Sequence, residues 1–84
     1  MQMYLHLGQN TIVMLSQILG VFDLDNTTGS KSTREYLAKA QREGRVVNVT
    51  SELPKSFIVC EEQGREIVYL SQMSPATLQK RTLS

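Results

Sequence analysis

The chain has 84 residues, 40% of them apolar, and its nine Lys and Arg against eight Asp and Glu leave a formal charge of +1. That length makes a single domain over residues 1–84, burying only roughly 60–65% of its unfolded surface, so the core is modest. One cysteine (Cys60) and one histidine (His6) exclude a disulfide framework and a four-ligand structural zinc, and no run approaches the ~18 apolar residues of a membrane span.

Tyr4 to Leu7 reads as a strand with Leu5 and Leu7 on one face, and Gly8-Gln9-Asn10 as the turn after it. Thr11 to Leu15 and Ile18 to Leu24 read as two further strands, and Asp25 to Ser30 as a loop. Ser32 and Glu35 have the spacing of a capping box. Thr33, Tyr36, Leu37 and Ala40 follow at i, i+3, i+4 and i+7, and Gly44 is placed to terminate, so residues 33–43 are expected to be a helix. Val46 to Thr50, Lys55 to Cys60 and Glu66 to Ser71 read as strands, the last two joined by a hairpin through Glu62-Gln63-Gly64-Arg65. Ser74-Pro75 sets an N-cap with proline at the first helical position, opening a short helix to about Arg81.

The order defines an α+β fold: a small, mostly antiparallel sheet of about six short strands, one central helix and a short C-terminal helix. Several strands are apolar on both faces, including Ile12 to Leu15, Phe57 to Cys60 and Ile67 to Leu70. One helix cannot cover both faces of such a sheet, so either the sheet curls into a second layer or another copy of the chain supplies the cover. Self-association is the expected outcome for so small a domain.

No catalytic machine is expected. Asp23 and Asp25 in Val21-Phe22-Asp23-Leu24-Asp25 have the spacing of a phosphatase nucleophile and its acid/base neighbour, but no Asp follows to complete a magnesium site. The same Asp23 start does not make a calcium loop, because Thr28 and Arg34 occupy the Gly and Glu positions. His6 lacks ligand or nucleophile neighbours, Cys60 ends an apolar strand as a small core residue, and no cofactor is expected. The cations are more informative. Lys31, Arg34 and Arg42 fall within about 80° of one another on the helix, opposite its apolar stripe, provided that the first turn extends back to Lys31. Lys55 stands beside the Pro54 turn, and Lys80-Arg81 closes the last helix. Lys31, Arg34 and Lys55 are therefore the candidate nucleic-acid contacts, although a solvated helix face would carry the same residues.

Taken in order, several segments resemble one family. They are Tyr4-Leu5-His6-Leu7-Gly8, Phe22-Asp23-Leu24-Asp25, the helix from Ser32 to Gly44, Arg45 to Thr50, Pro54 to Val59, Tyr69-Leu70-Ser71 and Ser74 to Leu78. Together they resemble the extracellular-matrix regulatory proteins, RemA and especially its RemB-like relatives. The resemblance implies a small α+β domain that assembles with itself into a ring, and the lack of a signal-peptide or membrane run makes a cytoplasmic location the expectation. It also implies binding of duplex DNA to activate biofilm-matrix genes; from the residues themselves no membrane or small-molecule partner is expected. It departs at the cations: where RemA-type members carry a pair of arginines this chain has Leu53 and Pro54, and Gln17 stands in place of another. That leaves Lys55 and the helix to meet phosphate, or a regulatory protein partner in place of DNA.

Overall fold

A computed structural model of the chain describes residues 3–24 and 30–83. Strands β1 (Tyr4–Gly8) and β2 (Thr11–Met14) form a hairpin, and a single 3-10 turn at Leu15–Gln17 leads into β3 (Ile18–Asp23). Helix α1 (Lys31–Arg42), β4 (Val46–Asn48), β5 (Ser56–Glu62), β6 (Arg65–Ser71) and α2 (Pro75–Leu83) complete the order. The α+β reading thus holds, with six strands and two helices among the described residues. The loop expected at 25–30 lies almost wholly outside them.

The strands divide between two sheets, a pair β1-β2 and a four-stranded sheet ordered β3-β5-β6-β4. β3 and β6 each pair antiparallel with β5, while β4 runs parallel to β6. β3 and β4 therefore point the same way at opposite edges, and the β3-α1-β4 connection spans the sheet as a split βαβ unit around the β5–β6 hairpin. That hairpin turns through Gln63 (φ 55°) and Gly64 (φ 80°), the two left-handed residues that match strand twist in a two-residue loop.

Side-chain alternation along β5 and β6 sends two cores to the two faces of the sheet. Phe57, Val59 and Val68 pack with Ala40 of α1, joined by the half-buried Tyr36, Leu37, Val46 and Leu70. The helix stripe read from the sequence is the one that faces this core. On the other face, Ile58, Cys60 and Tyr69 pack with Leu5, Leu7 and Val13 of the hairpin and Leu78 of α2. The second face is thus covered from within the chain, by a layer of hairpin and short helix. The apolar strand pattern does not by itself demand a second copy.

Two local expectations are corrected. The Ser32–Glu35 capping box does not form, because α1 begins two residues earlier with Ser30 as its cap. Ser30 holds extended backbone angles (φ −77°, ψ 131°), its Oγ accepts from the Thr33 N–H at 3.5 Å, and Glu35 turns to Lys31 instead. The helix ends as expected at Gly44 (φ 71°): its N–H reaches the Gln41 carbonyl and that of Arg45 the Ala40 carbonyl, a Schellman pair. Lys55 also lies outside β5 rather than in it, yet its backbone continues the ladder, donating to Ser71 O at 2.8 Å and accepting from Leu24 N at 2.9 Å.

Two buried serines pin the layers where β5 begins and β6 ends. Ser56 and Ser71 face each other across the strands. Ser56 Oγ donates to the Met73 carbonyl at 2.7 Å, and Ser71 Oγ donates to the Leu7 carbonyl at 2.7 Å while accepting from Met73 N–H at 3.1 Å. Leu7 sits at the register shift of the β1–β2 ladder, where regular pairing is interrupted.

Candidate nucleic-acid interface

The early start of α1 decides how its cations are arranged. With Ser30 as cap, Lys31 stands in helical register with Arg34, one turn on, and both are exposed. Lys31 Nζ lies 4.0 Å from Glu35 Oε1, a fully solvated pair of little strength that yields readily to a phosphate. Arg34 makes no ion pair with another described residue. Lys39 and Arg42 continue the exposed side toward the last turn, where they complement the negative end of the helix dipole.

Lys55 is exposed immediately before β5. Its backbone bond to Leu24 places it beside the point where the chain leaves β3 on its way to α1. Lys31 and Arg34 thus form one group and Lys55 a second, on the sheet margin that feeds the helix. No hydrogen bond or ion pair joins the two groups among the described residues. Lys80 and Arg81 stand apart in the last turn of α2. Leu53, where the resemblance expects arginine, is 87% exposed, and Gln17 spends its side-chain oxygen on the Met14 N–H.

One cation that the pattern did not single out is structurally occupied. Arg45 Nε lies 2.7 Å from Glu43 Oε1, and its Nη1 donates to the Glu66 carbonyl at 2.9 Å. The bond from Arg45 Nε to Glu43 holds the Glu43 carboxyl below its ordinary range and raises Arg45 in turn. Tyr36 donates to Glu66 Oε1 at 2.8 Å, and burial followed by this bond pushes its hydroxyl above the usual value. Tyr36 and Arg45 therefore tie α1 and the segment after it to the start of β6, and the Arg45 guanidinium is held by Glu43 and the Glu66 carbonyl. On the opposite face Tyr69 donates to Glu62, and burial raises its pKa far above that of a free tyrosine.

Among the described residues no three His, Cys, Asp or Glu side chains come together to hold a metal ion. Asp23 ends β3, while the Asp25 that would partner it in a phosphatase lies outside the described residues. No helix among them is long and apolar enough to cross a membrane.

A split βαβ sheet covered by one basic-faced helix, with a hairpin and short helix behind it, is a small two-layered α+β domain in its architecture. Comparison with known proteins takes the assignment further. Residues 4–82 match the family model of RemA-like, extracellular matrix regulatory protein A-like, proteins, and the chain belongs to that family. It is 34% identical over 79 residues to extracellular matrix regulatory protein B of Bacillus subtilis (strain 168), covering 94% of this chain and 89% of the relative.

Proposed function

We propose that this chain is a DNA-binding regulator of extracellular-matrix (biofilm) genes that works as a cytoplasmic, self-assembled homo-oligomer, without enzymatic activity. The observation that carries the reading is the family match, which spans both cores and the basic helix. The relative's name supports matrix regulation, and the geometry supplies the means: Lys31 and Arg34 exposed on one turn, with Lys55 exposed on the margin leading to them. A net charge of only +1 gives each copy weak attraction for a duplex, so the reading relies on an oligomer that repeats the patch along the DNA.

Fluorescence anisotropy of a labelled duplex, titrated at low and near-physiological salt, tests it. Binding is expected to weaken steeply with salt, and each of Arg34→Glu and Lys55→Glu is expected to lower affinity and flatten the salt slope by about one or more. A flat titration at low salt sinks direct DNA binding.

The exposed Leu53 favours a second reading, a self-associating module that acts through a regulatory protein. Where the resemblance expects a pair of arginines, the uncharged Leu53 and Pro54 offer nothing to a phosphate, which leaves that segment to a protein contact. That reading expects an intact oligomer, no duplex binding at physiological salt, and a partner interaction abolished by Leu53→Asp.

A further inference from the structure

Two depressions adjoin along the Tyr36–Glu66 hydrogen bond that ties α1 to the start of β6, and both residues line each of them. Their chemistry is opposite. One is a groove of about 390 Å³ walled by Leu19, Phe22, Phe57 and Val59. The Phe22 ring stacks on Phe57, 4.9 Å between centroids, yet stays 42% exposed. Gly20 gives it room: a Cβ there would lie 2.7 Å from Phe22 Cε2, so a side chain at this position would push the ring off its seat. An aromatic ring held in place with surface to spare is a platform for another flat ring. Ser32 and Thr33 bring hydroxyls to the same groove.

The other depression is a cleft of about 370 Å³ lined by Lys39, Arg45, Arg65 and the bare backbone of Gly64. Lys39 and Arg65 are exposed and form no ion pair with another described residue. Arg45 is already fixed through Nε to Glu43 and Nη1 to the Glu66 carbonyl, so little rotamer freedom remains for it to lose on meeting an anion. The carbonyls ending α1, which would repel an anion, are taken by the N–H groups of Glu43, Gly44 and Arg45. Three cations against Glu66 on the ridge and Glu43 behind Arg45 leave the cleft positive. The Glu66 carboxylate takes the Tyr36 hydroxyl on Oε1 and meets no cation among the described residues.

We propose that the two depressions together bind a purine nucleoside monophosphate. The base lies on the Phe22 platform, the ribose hydroxyls donate to Glu66, and the phosphate sits among Lys39, Arg45 and Arg65. The order of the three chemistries carries the argument: stacking surface, carboxylate, cations, in the sequence of base, sugar and phosphate. For an anion alone Glu66 would be a defect, whereas a carboxylate is a natural acceptor for ribose hydroxyls. Thr33 in the groove, Tyr36 on the ridge and Lys39 in the cleft succeed one another along α1, a rise of about 9 Å, which is the scale of one nucleotide. The proposal goes beyond the duplex reading, because Lys31, Arg34 and Lys55 line neither depression.

The test titrates the full ¹⁵N-labelled chain with AMP and GMP at constant ionic strength and follows the amide signals. Gly20, Gly64 and Arg65 are expected to shift together and saturate, with a Kd of about 1 mM or tighter. Adenosine alone and inorganic phosphate alone, each filling one depression, should bind roughly tenfold more weakly. The halves separate by mutation. Lys39→Gln and Arg65→Gln should each weaken AMP by roughly fivefold while leaving adenosine unchanged. Gly20→Ala, which displaces the Phe22 ring, should weaken adenosine and AMP alike. Arg42→Gln, outside both depressions, should change neither, and Arg34→Glu should leave AMP binding intact even where it lowers duplex affinity. Shifts that AMP shares with inorganic phosphate at equal affinity, and that never reach Gly20, would reduce the site to loose ion pairing and overturn the proposal. A short oligothymidylate that binds through Gly20 and Arg65 where AMP does not would assign the surface to single-stranded nucleic acid and overturn it equally.

Discussion

Ser71→Ala removes one oxygen and should unsettle the junction of all three layers. The Ser71 side chain is fully buried and serves two backbone groups, the Leu7 carbonyl at 2.7 Å and the Met73 N–H at 3.1 Å. Leu7 is itself fully buried at the register shift of its hairpin, so its carbonyl has no water to turn to when the hydroxyl is removed. A buried polar group stripped of its partner costs about 1–3 kcal/mol, while the serine's own desolvation is recovered, which sets the expectation near ~2 kcal/mol. For a domain of this size that lowers the melting midpoint by roughly 10 °C. Thermal unfolding followed by circular dichroism, at one fixed protein concentration because assembly shifts the midpoint, reads it directly. Ser51→Ala, at an exposed turn residue, is the control. A loss of less than about 0.5 kcal/mol for Ser71→Ala would mean that the hairpin is held by Leu5, Leu7 and Val13 alone, and the polar pin would have no energetic role.

Gly44→Ala isolates a backbone effect, since a Cβ there meets nothing within 4 Å while φ is 71°. A loss of about 1 kcal/mol in urea unfolding is expected, and an unchanged midpoint would show that the helix end relaxes without it. Alkaline pH should destabilise the fold. Burial lifts the Cys60 thiol from 9.0 to about 11, so the unfolded chain releases that proton first. Stability is then complete below the ordinary thiol value and falls as pH rises through about 11, with the raised Tyr69 extending the fall. Urea midpoints that stay level across that window would refute the assignment, and Cys60→Ala should make the early part of the decline shallower.

Hydrophobic periodicity carried most of the fold. The α1 stripe, the alternation in Tyr4 to Leu7 and the Gly44 stop are local signals, and each appears where its spacing puts it. The helix start is not legible because two serines compete for the cap within three residues, and only the backbone angles and the bond to Thr33 N–H distinguish Ser30 from Ser32. Doubly apolar strands announced two buried faces but not their cover. The hairpin and α2 reach the second face through contacts between chain ends, which no window of neighbouring residues encodes. Ser56 and Ser71 gave no signal at all, being serines in strands whose partners are distant carbonyls. At the candidate interface, Lys31, Arg34 and Lys55 were legible as exposed cations. The occupation of Arg45 is only half legible: Glu43 stands two residues before it, but the Glu66 carbonyl that takes its Nη1 comes from β6.

The layer behind the sheet also sets an order of assembly. The β1–β2 hairpin is made before β5, β6 and α2, yet those later elements build the surface that receives Leu5, Leu7 and Val13. Loop closure over most of the chain must therefore precede docking, which makes folding slow for so small a domain and leaves an apolar ribbon exposed throughout synthesis. The β5–β6 hairpin, with its tight turn and local pairing, is the expected nucleus, and docking of the β1–β2 hairpin the expected last step.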